Sequence, residues 1–425
     1  MPTETVKDNQ WWYSKSVHKP SVERAAYIVL SIAGRECPMM HSKLGRDGRV
    51  TPSFTFIRSA DLQFWQALNG QDVDIDLVEA SDRMPEVDCA GDSDESPEPV
   101  SLDGPGDPFD TSPIVCCGET LFDAYVFVDW SAASRPKRGR DSIWIAEGSY
   151  DADRMLVARI VDNPPTRGAA ENCVRGLLVD HLRRDRRVLV GFDFPYGYPK
   201  GWHDAVGHAA GARSDLWSLF TQKLQVDNGG NNNNRWDAAD AFNVADPSSL
   251  GPYWGRPVQR AELVNLPIKK PACFADGSVR EFRRIEESLR ALGRRPMSVW
   301  QLFGNGSVGS QAMLGIPVLY RLRNDDQLKS HSRVWPFETV GWTCPTDTRP
   351  FILHAEIWPG SIDVIRGLHA VKDAAQMLSY VRWAATLDTA GLLGPRFTPA
   401  IPEPEKRTIE ACEGWILGQV NGPLE

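Results

Sequence analysis

Tyr125-Val126-Phe127-Val128-Asp129-Trp130-Ser131 decides how the rest of the chain is read. β-Branched and aromatic residues in an unbroken run are the composition of a buried strand. The run ends on a carboxylate, and a charge is expensive inside a core. Asp129 therefore belongs where the strand leaves the core. Val188-Leu189-Val190-Gly191-Phe192-Asp193-Phe194-Pro195 repeats the arrangement, with one acid at the strand end and Pro195 closing the ladder. Two strand-end acids on two strands form a candidate shared metal site.

The pattern around these two stretches gives the sheet. Ser131–Arg140 is a small basic loop, Asp141–Glu147 resumes as a strand, and Met155–Val161 is a third. Three strands joined by turns make an antiparallel meander. Ala169–Leu182 has helical spacing, so the strand that follows it at Val188 is expected parallel to the first. Residues 194–300 read as a long insertion rich in aromatics, Gly and Asn, with helical spacing at Asp215–Leu224 and Arg280–Leu292. After the glycine block Gly304–Gly309 a helix is expected, interrupted by Pro317. Arg333–Thr339 reads as extended, and Phe351–Trp358 as a strand carrying Glu356 and ended by Pro359. Val371–Leu387 reads as a long helix with Lys372 and Asp373 in its first turn, and Glu403–Val420 as a last helix.

The 425 residues divide by composition. Residues 1–80 read as a small α+β appendage, with strands at Ala25–Ala33 and Arg49–Phe56 and a helix at Ser59–Leu68. Residues 81–120 read as an acidic linker rich in Pro, Ser and Gly, with little to bury. Residues 121–425 form the main domain, with the insertion at about 196–300. The 42% hydrophobic and 24% charged content is that of a soluble globular protein. No apolar run approaches the roughly 20 residues of a membrane helix, and Met1–Gln10 lacks an apolar signal core, so a cytoplasmic protein off the membrane is the expectation. The eight Cys include no CxxC pair, which speaks against a zinc ribbon. The net charge of −9 excludes a general nucleic-acid coat. The acids are concentrated in Asp72–Asp110, where Arg83 is the only base, which leaves room for a local basic groove.

Carboxylates thus fall at the end of the first strand, on the strand after the first helix, on a late strand and in the first turn of a late helix: Asp129, Asp193, Glu356 and Asp373. This order resembles the ribonuclease H-like superfamily. More narrowly, the blocks "VDWS", "GFDFPYGYP", "AEIWP" and "VKDAAQ" resemble those of a DUF429-like group of predicted nucleases. The resemblance covers residues 121–420. It implies an α/β fold with a mixed sheet, antiparallel meander plus parallel strands, flanked by helices. It also implies that Asp129 bridges metals, with Asp193, Asp373 and Glu356 as further ligands.

The physical chemistry is consistent with that grouping. Gathered carboxylates repel and take up protons unless a cation neutralises them. Mg²⁺ or Mn²⁺ prefers such hard oxygen ligands, and paired ions serve phosphodiester cleavage. The expected function is a metal-dependent nuclease on DNA or RNA. Ser131, Arg135, Lys137 and Arg138 in the basic loop, and Lys372 beside Asp373, are candidate contacts to substrate phosphate. Each residue has a plainer role open to it. Asp129 could cap a turn, Asp193 could fix one, Asp373 could complement a helix N-terminus, Glu356 could pair with an arginine, and the basic tip could simply be solvated. Two other functions share the fold: a phosphotransferase or ATPase of the sugar kinase–actin type, with Ser131–Ser134 binding phosphate, and a non-catalytic binding module.

Overall fold

The computed structural model describes the strands within residues 12–53, then residues 113–419 apart from 117, 203–212, 227–228, 245–250, 275–278, 305, 340–341 and 345–348. The chain separates into two compact units, Met1–Leu102 and Asp103–Glu425. In the first, β1 (Trp12–Lys15), β2 (Arg24–Val29), β5 (Met40–Leu44) and β6 (Val50–Ser53) make an antiparallel sheet in the order β1-β2-β5-β6. The two-residue strands β3 (Ser31–Ile32) and β4 (Arg35–Glu36) pair with each other. The helix expected over 59–68 and the linker over 81–112 lie outside the described residues.

The second unit is built on a six-stranded sheet. β7 (Ala124–Asp129), β8 (Trp144–Tyr150) and β9 (Leu156–Asp162) form the antiparallel meander. Helix α1 (Arg167–Arg183) then crosses over, and β10 (Arg187–Phe192) pairs parallel with β7. The insertion carries α2 (Arg213–Lys223), α3 (Arg235–Val244) and α4 (Arg284–Ala291), and α5 (Gly309–Asn324) follows it. β11 (Ser332–Val334) and β12 (Phe351–Glu356) add two more parallel strands, giving the order β11-β12-β10-β7-β8-β9. α6 (Lys372–Thr389) and α7 (Glu403–Thr408) complete the chain of helices.

The two-residue period of a strand sends alternate side chains to opposite faces, and here both faces are covered. Val126, Val128, Val188, Val190, Phe192 and Ile352 pack under α1 and α5 through Val174, Leu178, Met313 and Ile316. Tyr125, Phe127, Leu189, Leu353 and Ala355 pack under α6 through Met377, Tyr380 and Val381. That burial on both sides is why β7, β10 and β12 read as continuous apolar runs. α6 lies close on β8 because residue 148 is glycine: a Cβ there would run into Val381.

Two sequence expectations fail. α5 passes through Pro317 without interruption. Proline removes one backbone bond, but Ala312–Leu319 is buried on all sides and Gly315 lets the Phe194 ring rest on the helix, so packing outweighs the lost bond. The final helix is much shorter than Glu403–Val420. It widens into a π-turn at Ile409–Glu413, and Gly414 at φ 72° ends it. Ile416 then bridges to Glu356, so the apolar Trp415-Ile416-Leu417 serves the sheet rather than a helix face.

Candidate active site

Val128 and Phe192 are register partners on neighbouring parallel strands, so the residues that follow them, Asp129 and Asp193, leave the sheet side by side. Asp193 N–H continues the ladder to Val128 O at 3.3 Å. Trp130 N–H donates to Asp193 Oδ1 at 2.6 Å, and the two carboxyl groups are close enough to act on each other. Asp373, in the first turn of α6, lies near enough to act on both acids. Its Oδ2 accepts from Asp141 N–H at 2.7 Å, which ties the start of α6 to the β7–β8 loop.

Burial, then the charge and hydrogen bond of Asp193, then the charges of Asp373 and Asp141 push the Asp129 carboxyl well above the usual carboxylate range. Burial pushes Asp193 up to about 6, against hydrogen bonds from Asp129, Trp130 N–H and its own N–H that favour its anion. Two carboxylates this close do not both ionise readily, so the pair titrates as one unit that retains a proton above the usual range. Folded chains then hold a proton that unfolded chains have released. The dyad therefore costs stability as pH rises from about 4 through about 6 and beyond, unless a cation takes the proton's place.

The donor chemistry of the dyad suits one hard divalent ion. Mg²⁺ is commonly held by one or two carboxylates, with water and substrate oxygens filling its shell. Among the described residues no group of three or more His, Cys, Asp or Glu side chains is gathered as a metal site. Asp373 is held to the loop, and Glu356 is elsewhere.

Glu356 is a correction to the four-acid expectation. It is the register partner of Phe192, so it faces the insertion side of the sheet while Asp129 faces α6. There it is 2% exposed, and Arg283 grips it twice, Nη1 to Oε2 at 2.8 Å and Nη2 to Oε1 at 2.6 Å. Tyr196 N–H adds a bond at 2.9 Å. Arg283, itself 0% exposed, also bonds Glu286 and Glu413 O. This buried network fastens the insertion and the C-terminal turn to the end of β12.

The candidate phosphate contacts separate. Ser131 Oγ closes a local turn, accepting from Ala133 N–H at 3.3 Å. Lys137 pairs with Asp141 at 3.4 Å and Arg138 with Asp162 at 3.7 Å, both exposed. Lys372 and Arg135 are exposed. Trp130 and Trp144 are core residues, 1% and 7% exposed, and present no face for stacking. In the glycine block, Ser307 N–H bonds Gly304 O and Gly309 N–H bonds Gln301 O, so those amides serve their own loop.

Sequence reasoning missed what holds the loop after β7. Arg167 and Arg235 are the first residues of α1 and α3, and both are buried, at 1% and 7% exposed. Arg167 donates to Ala133 O at 2.7 Å and Asn231 O at 2.6 Å. Arg235 donates to Ser134 Oγ at 3.1 Å and Asn233 Oδ1 at 2.8 Å. Among the described residues neither guanidinium has a carboxylate partner, and both Nε atoms are buried without a bond. Burial lowers both to about 10, and Arg167 adds to the fall at Arg235, so both stay charged. A cation is the wrong charge for a helix N-terminus, and an arginine opening each of two helices was the signal to look for. Two helix N-termini and two buried guanidinium groups thus converge on residues 131–135. Gln311 Nε2 fixes the same loop from α5, donating to Trp130 O at 2.6 Å.

Comparison of the chain with family models, with curated proteins and with solved structures returned no match. Among the described residues no helix is long and apolar enough to cross a membrane, and Cys116, Cys173, Cys273, Cys344 and Cys412 are free thiols.

Proposed function

We propose that the chain is a metal-assisted phosphodiesterase acting on nucleic acid, built on a ribonuclease H-like sheet. The observation that carries this reading is the Asp129–Asp193 dyad at the ends of two adjacent parallel strands. The strand order, a meander followed by strands parallel to its first member, supports it. Asp129 and Asp193 would hold one Mg²⁺ or Mn²⁺, which supplies a polarised phosphoryl oxygen and an acidified water when bound.

The chain's own groups do the positioning. The loop at 131–135, backed by Arg167 and Arg235, carries a positive field suited to a phosphate oxygen. Asp373 fixes the β7–β8 loop through Asp141 and so sets how far that loop stands from the dyad. Arg135, Lys137, Arg138 and Lys372 are exposed cations that would attract a phosphate backbone without reading its sequence. Incubation with labelled single- and double-stranded DNA and RNA, with and without Mg²⁺ or Mn²⁺, tests the reading. Metal-dependent cleavage that disappears in Asp129→Asn is expected. Cleavage retained in that variant removes the mechanism, and stabilisation by a nucleotide triphosphate without cleavage replaces it with phosphotransfer.

A further inference from the structure

The opposite end of the sheet holds a second charged feature that the dyad does not use. At the start of β7 and β10 a cavity of about 650 Å³ opens to solvent, a volume suited to a small-molecule ligand. Five arginines line it, Arg154, Arg184, Arg186, Arg187 and Arg349, against three acids. They come from four separate parts of the chain: the β8–β9 turn, the α1–β10 turn, the start of β10 and the segment before β12. A helix C-terminus attracts cations by itself, but that accounts only for the α1–β10 turn.

The ion pairing inside the cavity is incomplete. Asp123 takes two of the arginines, Arg187 at 3.2 Å and Arg349 at 3.2 Å, and also accepts from Arg187 N–H. Arg154 donates to Gly118 O and Cys116 Sγ. Among the described residues Arg184 and Arg186 have neither an ion pair nor a side-chain hydrogen bond. The Tyr150 hydroxyl stands at the wall against Tyr125. Like charges held round one opening repel, and the excess of two positive charges matches a phosphate monoester dianion. Guanidinium groups are the donors that suit its oxygens in pairs.

We propose that this cavity binds a phosphorylated small molecule of about nucleotide size, held by its terminal phosphate between Arg184 and Arg186. β10 spans six residues between Arg187 and Phe192, about 3.3 Å each, so the cavity lies on the order of 17 Å from the dyad. It is a separate site whose occupancy does not depend on the metal reading.

Calorimetric titration of the full chain in excess chelator tests this, with inorganic phosphate, pyrophosphate and a nucleoside monophosphate as probes. Saturable binding is expected, tighter for the nucleoside monophosphate and pyrophosphate than for phosphate. Arg184→Ser and Arg186→Ser should each weaken it on the order of tenfold, as loss of a charge-assisted bond does. Neither side chain has a partner among the described residues, so the thermal midpoint without ligand should not move. Asp129→Asn should bind as wild type does. Absence of binding by all three probes overturns the proposal, as does unchanged affinity in the double variant. Loss of binding in Asp129→Asn does so too, since it would place the ligand at the dyad.

Discussion

Asp129 and Asp193 leave two adjacent parallel strands side by side, and Trp130 N–H, from the residue after the first, donates to the second across 2.6 Å. This is a consequence of register: two parallel strands paired at Val128 and Phe192 end on the same level. The two carboxyl groups are close and half-buried, so neutralising either one should be tolerated by the fold while removing half of the ion seat. Asp129→Asn and Asp193→Asn are each expected to lose metal-dependent cleavage by about a hundredfold or more. Their thermal midpoints without metal should equal or exceed that of wild type. Cleavage assays beside thermal unfolding check both halves.

Divalent ions should stabilise the protein through the same pair. At pH 8, millimolar Mg²⁺ or Mn²⁺ is expected to raise the thermal midpoint of wild type, because an ion that binds only the folded state adds stability by mass action. The shift should vanish in Asp129→Asn. An equal shift in that variant would place the ion elsewhere.

Glu356 and Arg283 separate a structural acid from a catalytic one. Removing one partner of a buried ion pair strands the other and costs about 3–5 kcal/mol. Arg283→Met should therefore unfold at markedly lower denaturant. Glu356→Gln should do so as well but retain cleavage per folded molecule, since the side chain lies on the face away from the dyad. Chemical denaturation combined with activity per folded molecule decides it.

Arg235 offers a test of the loop after β7. Arg235→Gln keeps the bulk and part of the hydrogen bonding to Ser134 and Asn233 but removes the charge. It should raise KM by about tenfold with a smaller change in kcat, and flatten the salt dependence of substrate binding. A loss confined to kcat would place Arg235 with the reacting groups instead.

Acid sensitivity should come from Glu147. Its hydrogen bond with His181, whose Nε2 lies 3.0 Å away, outweighs burial and, with Arg159, lowers its carboxyl to about 2. A carboxyl depressed in the folded state stabilises the fold fully above its unfolded value near 4.5, and that contribution is lost as pH falls toward 2. The shift corresponds to about 3 kcal/mol. Glu147→Gln is expected to be less stable at pH 7, and its stability should fall less than that of wild type between pH 5 and pH 2. Urea unfolding at a series of pH values measures the difference.

Much of the main sheet was legible in the sequence because its evidence is local. Val126, Val128, Val188 and Val190 declare buried strands whatever surrounds them, and the helix between β9 and β10 forces the parallel pairing. Thr166 caps α1 with its side chain on Ala169 N–H, a signal readable within four residues. The adjacency of Asp129 and Asp193 followed from the same patterns, as both sit one residue past an apolar run.

The sequence could not decide which face Glu356 takes. In a strand buried on both sides, Leu353, Ala355 and Glu356 carry no alternation to read, and a shift of one residue reverses the outcome. Only the pairing of Phe192 with Glu356 settles it. Nor could it foresee that Arg167 and Arg235, 68 positions apart in the numbering, meet at one loop, or that Asp141 turns its N–H to Asp373. Strand composition acts over neighbouring residues and is written in their order. The pairing of charges arises where distant segments pack, so it belongs to the tertiary structure alone.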